Sequence, residues 1–94
     1  MKKVNKIKEQ RIAIVTGGTK NIGLSICKLL LKKDIKVAYV GSSKKTTEFV
    51  KNEFLVAGSN KKNFKGFVCD LSNINNIPVL VEEVIYEFGE IDII

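Results

Sequence analysis

The eight residues Thr16-Gly-Gly-Thr-Lys-Asn-Ile-Gly23 combine three glycines with small polar side chains and one cation. These side chains do little acid–base or nucleophilic work; what the segment offers is backbone. Gly17 permits a tight turn that a Cβ would not tolerate. Gly23 lets a helix that starts here lie close to the sheet. The amino end of such a helix presents unpaired N–H groups and a partial positive charge. The chemistry is therefore anion binding, with a nucleotide pyrophosphate as the guest this geometry grips.

The flanking sequence supplies the elements that hold such a turn. Ile12, Ala13, Ile14 and Val15 form a continuous apolar run, which predicts a parallel strand buried on both faces. Ile22, Ile26, Leu29 and Leu30 recur at helical spacing, so a first helix is expected over roughly residues 22 to 33, with Asp34 in the turn that follows. Ile35 to Val40 reads as a second strand, and Thr46 to Val56 as a second helix ending near Gly58. Phe64 to Cys69 reads as a third strand. Val79 to Phe88 reads as a third helix, with Asn75 or Asn76 as cap, Pro78 in the first turn and Gly89 as the stop. Ile91 to Ile94 opens a fourth strand. Alternating strands and helices predict an α/β fold with a parallel sheet, and right-handed crossovers give the strand order 3-2-1-4. The fourth strand then forms an edge, which predicts half of a larger sheet: a fragment, a split gene product or a truncated frame.

Composition narrows the chemistry further. The 94 residues contain no histidine, which removes Ser-His and Cys-His catalysis and the commonest metal ligand. Cys27 and Cys69 are too few and too far apart for a metal cluster or a disulfide framework; both are read as reduced core residues of a cytoplasmic protein. No run approaches the ~18 apolar residues of a membrane span, so no membrane association is expected. Lys and Arg number 16 against 10 Asp and Glu, and Lys2, Lys3, Lys6 and Lys8 crowd the start. Residues 1–10 are read as a solvated basic arm ahead of a single domain over 11–94. Without aromatics interleaved among the lysines, this arm is not a nucleic-acid surface. Acidic small molecules remain suitable partners.

Three segments in register carry a family resemblance. Thr16-Gly-Gly-Thr-Lys-Asn-Ile-Gly23 resembles the cofactor loop of short-chain dehydrogenases/reductases. Cys69-Asp70-Leu71-Ser72 is similar to the family's strand-three motif. Phe88-Gly-Glu-Ile-Asp-Ile-Ile94 is similar to the stretch leading into its Asn-Asn-Ala-Gly motif. The resemblance implies the N-terminal half of a Rossmann-type doubly wound sheet that binds a nicotinamide dinucleotide. It assigns cofactor contacts to Gly17, Thr19, Lys20, Asn21, Ile22 and Gly23, to Gly41, Ser42, Ser43 and Lys44 at the end of strand two, and to Asp70 and Leu71, where the Asp70 carboxylate meets the adenine amino group. Asn21 stands where the family has glycine, a departure that asparagine tolerates because it accepts left-handed backbone angles. The family's catalytic Asn, Ser, Tyr and Lys have no counterparts in these 94 residues, so no catalytic residue and no metal ligand is assigned.

In NAD-selective members the second strand ends in a carboxylate that repels a 2′-phosphate. Gly41 holds that place here, followed by two hydroxyls and a cation, with Lys20 on the opposite side; the implied cofactor is NADP(H). The finer likeness is to acetoacetyl-CoA reductases and 3-oxoacyl-carrier-protein reductases. It implies reduction of a 3-oxoacyl thioester once a C-terminal half is supplied, and a homotetramer for a full-length form. Other readings stand beside these. The glycine turn alone also suits a flavin or an S-adenosyl ligand. Gly18 and Gly23 have Walker spacing, although Leu24 occupies the place of the phosphate-binding lysine. Asp70 is also a good turn cap, Lys20 an ordinary solvated lysine, and Thr19 and Ser42 ordinary loop residues. A non-catalytic nucleotide-binding remnant is the alternative function.

Overall fold

The protein was analysed as a computed structural model that describes residues 10–94. Apart from Gln10, the basic arm expected over residues 1–10 lies outside the described residues. The elements run β1 (Ile12–Thr16), α1 (Asn21–Lys32), β2 (Lys36–Gly41), α2 (Lys44–Val56), a 3-10 turn (Lys61–Asn63), β3 (Phe64–Val68) and α3 (Asn76–Phe88). Bounds differ from the sequence expectation by one to three residues, since helix ends are set by caps rather than by apolar spacing. The start of α2 moves back to Lys44 because Ser43 caps it, its Oγ accepting from the Thr46 amide at 3.2 Å.

The three strands are parallel, with β2 central. Ile14 pairs with Ala38 and Val40 with Phe67, which puts alternate residues of all three strands in common layers. On one face, α3 covers Ile14, Ala38, Val40 and Phe67 with Leu80 and Val84. On the other, α1 and α2 cover Val37, Tyr39 and Phe64 with Cys27, Val50 and Phe54. The continuous apolar runs of β1 and β2 are thus explained by burial on both faces.

The fourth strand is reduced to a single parallel bridge between Ala13 and Ile93, on the edge of β1 away from β2. The Ile14 amide donates to Ile93 O at 2.8 Å and the Ile93 amide to Ile12 O at 3.1 Å. The Asp92 carboxylate accepts from the Ile12 amide at 3.0 Å, through a side chain where a longer strand would use backbone. Asn75 is the cap residue of α3, as expected, but its side chain makes no cap bond, and the Asn76 side-chain Nδ2 donates back to Asp70 O at 3.1 Å. Among the described residues no helix is long and apolar enough to cross a membrane.

Candidate functional site

The carboxyl ends of three parallel strands converge on one cleft. β1 ends at Thr16 and the chain turns through Gly17, whose φ of 66° lies in the left-handed region that favours glycine. Gly18 follows and is buried. A Cβ there would stand 2.9 Å from Tyr39 Cβ and 3.1 Å from Cys27 Sγ, so Gly18 is the glycine that lets the turn lie on β2 and α1. Gly23 has a different neighbour from the one expected: its Cβ would collide with Gly17 O, so it brings the first turn of α1 onto the glycine turn itself. Asn21 takes φ 48°, the left-handed angle expected of it.

Helix α1 starts open. Lys20 at the cap position is extended and makes no side-chain cap bond, and the first turn holds no acidic residue. The first backbone bond runs from the Leu24 amide to Lys20 O, leaving the amides of Asn21, Ile22 and Gly23 without a backbone partner among the described residues. Together with the helix dipole, these amides form an anion receptor.

Of the twelve site residues named from sequence, the cleft beside this turn brings Gly17, Thr19, Lys20, Gly41, Ser42, Asp70 and Leu71 together around about 250 Å3, with Val40 and Cys69 completing the wall. Asn21, Ile22 and Gly23 form the adjoining helix turn. Ser43 and Lys44 lie outside the lining: the Ser43 hydroxyl is committed to the α2 cap, and Lys44 opens that helix with its side chain exposed. Larger hollows, each of about 670 Å3, lie between the carboxyl ends of α1 and α2 and along the outer edge of β3. Neither lies at the open amino end of an α-helix, so size does not mark the site here; convergent backbone amides do.

Sequence reasoning missed Val40 and Cys69. Cys69 is half-buried, packed against the core beneath α3 and lining the cleft, whereas Cys27 is fully buried and its thiol is pushed up to about 12 by burial. Adjacency to Asp70 at the strand end was the available signal for Cys69. Asp70 performs the turn-capping role weighed for it. Its Oδ1 accepts from the Ser72 hydroxyl at 2.6 Å and the Ser72 amide at 3.0 Å, which closes the loop after β3 and holds the carboxyl below the usual carboxylate range. Oδ2 carries no hydrogen bond to the described residues, and the residue faces the cleft.

At Gly41 a Cβ would stand 2.8 Å from Thr19 Cγ2 and 3.0 Å from Thr47 Cγ2, so a side chain there requires these threonine methyls to shift. The place at the strand end that can carry a ligand-facing group is Ser42, which is exposed and lines the cleft.

An open parallel sheet with a glycine turn and a cleft at its strand ends defines a Rossmann-type nucleotide-binding architecture. A family model described as short chain dehydrogenase matches residues 11–94, and the chain belongs to that family. The 3-oxoacyl-[acyl-carrier-protein] reductase of Escherichia coli (strain K12) is 30% identical over 86 residues, 92% of this chain and 33% of that protein. An actinorhodin polyketide ketoreductase solved with NADPH superposes with a TM-score of 0.81 at 28% identity, over 89% of this chain and 31% of that one. A 3-oxoacyl-[acyl-carrier protein] reductase from Brucella melitensis, solved with NAD, superposes with a TM-score of 0.78 at 29% identity, over 92% of this chain and 32% of that one. The chain spans about a quarter to a third of the length of the curated relatives it matches.

Proposed function

We propose that this chain is the dinucleotide-binding portion of an NADP(H)-dependent short-chain oxidoreductase, and that the completed fold reduces a 3-oxoacyl thioester, acetoacetyl-CoA or a 3-oxoacyl carrier protein, to the 3-hydroxy form. The observation that carries the cofactor reading is the cleft in which a capless helix start, Lys20, Ser42 and Asp70 meet at the ends of three parallel strands. The residues present fit the cofactor. Gly17 has nothing within 4 Å of where a Cβ would stand, so ligand can approach its backbone. The amides of Asn21, Ile22 and Gly23, without backbone partners among the described residues, suit a pyrophosphate. Asp70 Oδ2 is left to accept from the adenine amino group. Lys20 and the Ser42 hydroxyl border the place of the adenosine ribose, and Lys44 at the start of α2 adds a second cation nearby; such donors favour a 2′-phosphate.

When bound, a reduced nicotinamide supplies a hydride to a carbonyl carbon. This chain's residues bind and orient; none of those around the cleft is assigned the transfer of a proton to the developing alkoxide. The 3-oxoacyl substrate class is supported by likeness to the carrier-protein reductases, and a homotetramer is proposed for a full-length form from the family resemblance. The purified 94-residue chain is expected to bind NADPH in calorimetric titration and to leave NADPH absorbance unchanged when acetoacetyl-CoA is added. Absence of binding overturns the cofactor reading. Turnover above a mock-purified control overturns the assignment of binding alone to this portion.

A further inference from the structure

Tyr39 is the largest fully buried side chain in the core, 1% exposed, and the reading of the cleft given above makes no use of it. It contacts the elements behind that cleft: the glycine turn, β3 and α2. At its base, Tyr39 Cβ lies against Gly18 of the glycine turn. In the middle, its ring lies over Gly66 of β3, where a Cβ would stand 2.6 Å from the ring edge, and meets Phe54 edge-on with centroids 5.2 Å apart. At its tip, the hydroxyl donates to Thr47 O at 3.2 Å, inside the second turn of α2. Thr47 in turn presses its Cγ2 toward Gly41, opposite Thr19 Cγ2. A rigid ring therefore spans from the glycine turn to the helix whose amino end carries Ser43 and Lys44.

We infer that Tyr39 is a positioning residue: its hydroxyl fixes the amino end of α2 relative to the glycine turn, and so sets the reach of Ser42 and Lys44 toward the 2′-phosphate of a bound dinucleotide. The inference rests on the cofactor reading only for its consequence in affinity; the mechanical part stands on the contacts. Glycine at both 18 and 66 makes room for the Tyr39 side chain in this seat, and Phe54 packs edge-on against its ring. The hydroxyl is a donor at neutral pH, as any tyrosine hydroxyl is, and burial with Glu48 nearby pushes it up to about 12. Its acceptor is an interior helix carbonyl, so the bond constrains the backbone of α2 rather than one mobile side chain.

Tyr39→Phe keeps the ring and removes only this bond. With the full chain, the preference for NADPH over NADH in calorimetric titration is expected to fall about three- to tenfold, the effect of losing one hydrogen bond, and to fall through NADPH affinity. Hydrogen exchange is expected to quicken at the Thr46 and Thr47 amides, which bond to Ser43, and to stay unchanged at Ile14, which bonds to Ile93 across the sheet. A merely structural hydroxyl would instead raise exchange uniformly and leave the preference alone. That result, or unaltered exchange at Thr46 and Thr47, overturns the inference. If the unmutated chain binds neither cofactor, the cofactor reading fails by itself and the local exchange pattern still decides whether Tyr39 positions α2.

Discussion

Thr19 and Gly41 close on each other across the cleft, with Thr19 Cγ2 standing 2.8 Å from the position a Cβ on Gly41 would take. Cofactor choice must therefore be engineered one residue later. Ser42→Asp is expected to cost NADPH roughly ten- to a hundredfold in affinity while sparing NADH, because a carboxylate beside the ribose repels a 2′-phosphate. Gly41→Asp is expected to destabilise the fold by about 1 to 3 kcal/mol through overpacking, and to weaken both cofactors. Paired calorimetric titrations and urea melts distinguish the two variants. Equal losses of NADH and NADPH in Ser42→Asp would show that this side chain does not face the ribose.

Two glycines of the phosphate turn should fail for different reasons. A Cβ on Gly23 runs into Gly17 O, whereas one on Gly17 meets nothing within 4 Å and pays only for its φ of 66°. Gly17→Ala is expected to cost about 1 kcal/mol in stability through backbone strain. Gly23→Ala should cost more, about 1 to 3 kcal/mol, and abolish cofactor binding by pushing α1 off the turn. Thermal melts of both variants give the comparison; a Gly23→Ala protein as stable as Gly17→Ala contradicts the packing described.

The two cysteines should separate cleanly by reactivity. Cys27 is buried with its thiol pushed up to about 12, while Cys69 stands half-buried in the cleft wall. In the native protein one thiol equivalent, lost in Cys69→Ser, is expected to react with a disulfide reagent, and NADPH should slow it. The second equivalent should appear only on unfolding. Fast native labelling of the Cys69→Ser variant would place Cys27 within reach of solvent.

Alkali should destabilise the fold through the same burial. Cys27 and Tyr39 both rise in the folded state, from 9.0 and 10.0 to about 12. In that interval the unfolded chain loses protons that the folded chain keeps, so the unfolded state binds fewer. Stability is full below about pH 9 and is lost as pH climbs toward about 12. Urea midpoints should fall across this range, and less steeply in Tyr39→Phe; midpoints that stay level would show that these two groups ionise freely in the native state.

The bond between Ser72 and Asp70 predicts the opposite behaviour in acid. Because the hydroxyl and amide of Ser72 hold the Asp70 carboxyl low, its contribution to stability is present above the ordinary carboxylate value of 3.8 and is lost as pH falls through the folded value. Ser72→Ala should raise the Asp70 titration toward that ordinary value, as followed by carboxyl carbon resonance. No movement would mean that Ser72 does not hold the carboxylate in solution.

Local order was legible where local rules decide it. The apolar runs of β1 and β2, the helical spacing from Ile22 to Leu30 and the stop at Gly89 follow from periodicity and backbone freedom, and each maps onto an element found in the structure. The left-handed angle at Asn21 was likewise readable, since few residues other than glycine accept it. The parallel order 3-2-1 followed from alternation and crossover handedness.

What the residue string alone determined was the glycine turn, its place between a strand and a helix, and the family, because those depend on residues adjacent in sequence. The tertiary structure decided which neighbours each of these meets. Gly23 packs on Gly17 rather than on the sheet, Gly41 is shut by Thr19 and Thr47, Gly66 lies beneath Tyr39, and Asp92 reaches the Ile12 amide across 80 positions. These contacts are set by strand register and by how closely α1 and α2 seat on β2, where displacements of a few tenths of an ångström decide whether a Cβ fits. Periodicity carries no such information, so only the packed fold could show that Gly41 is buried between Thr19 and Thr47 while Ser42 beside it stands exposed.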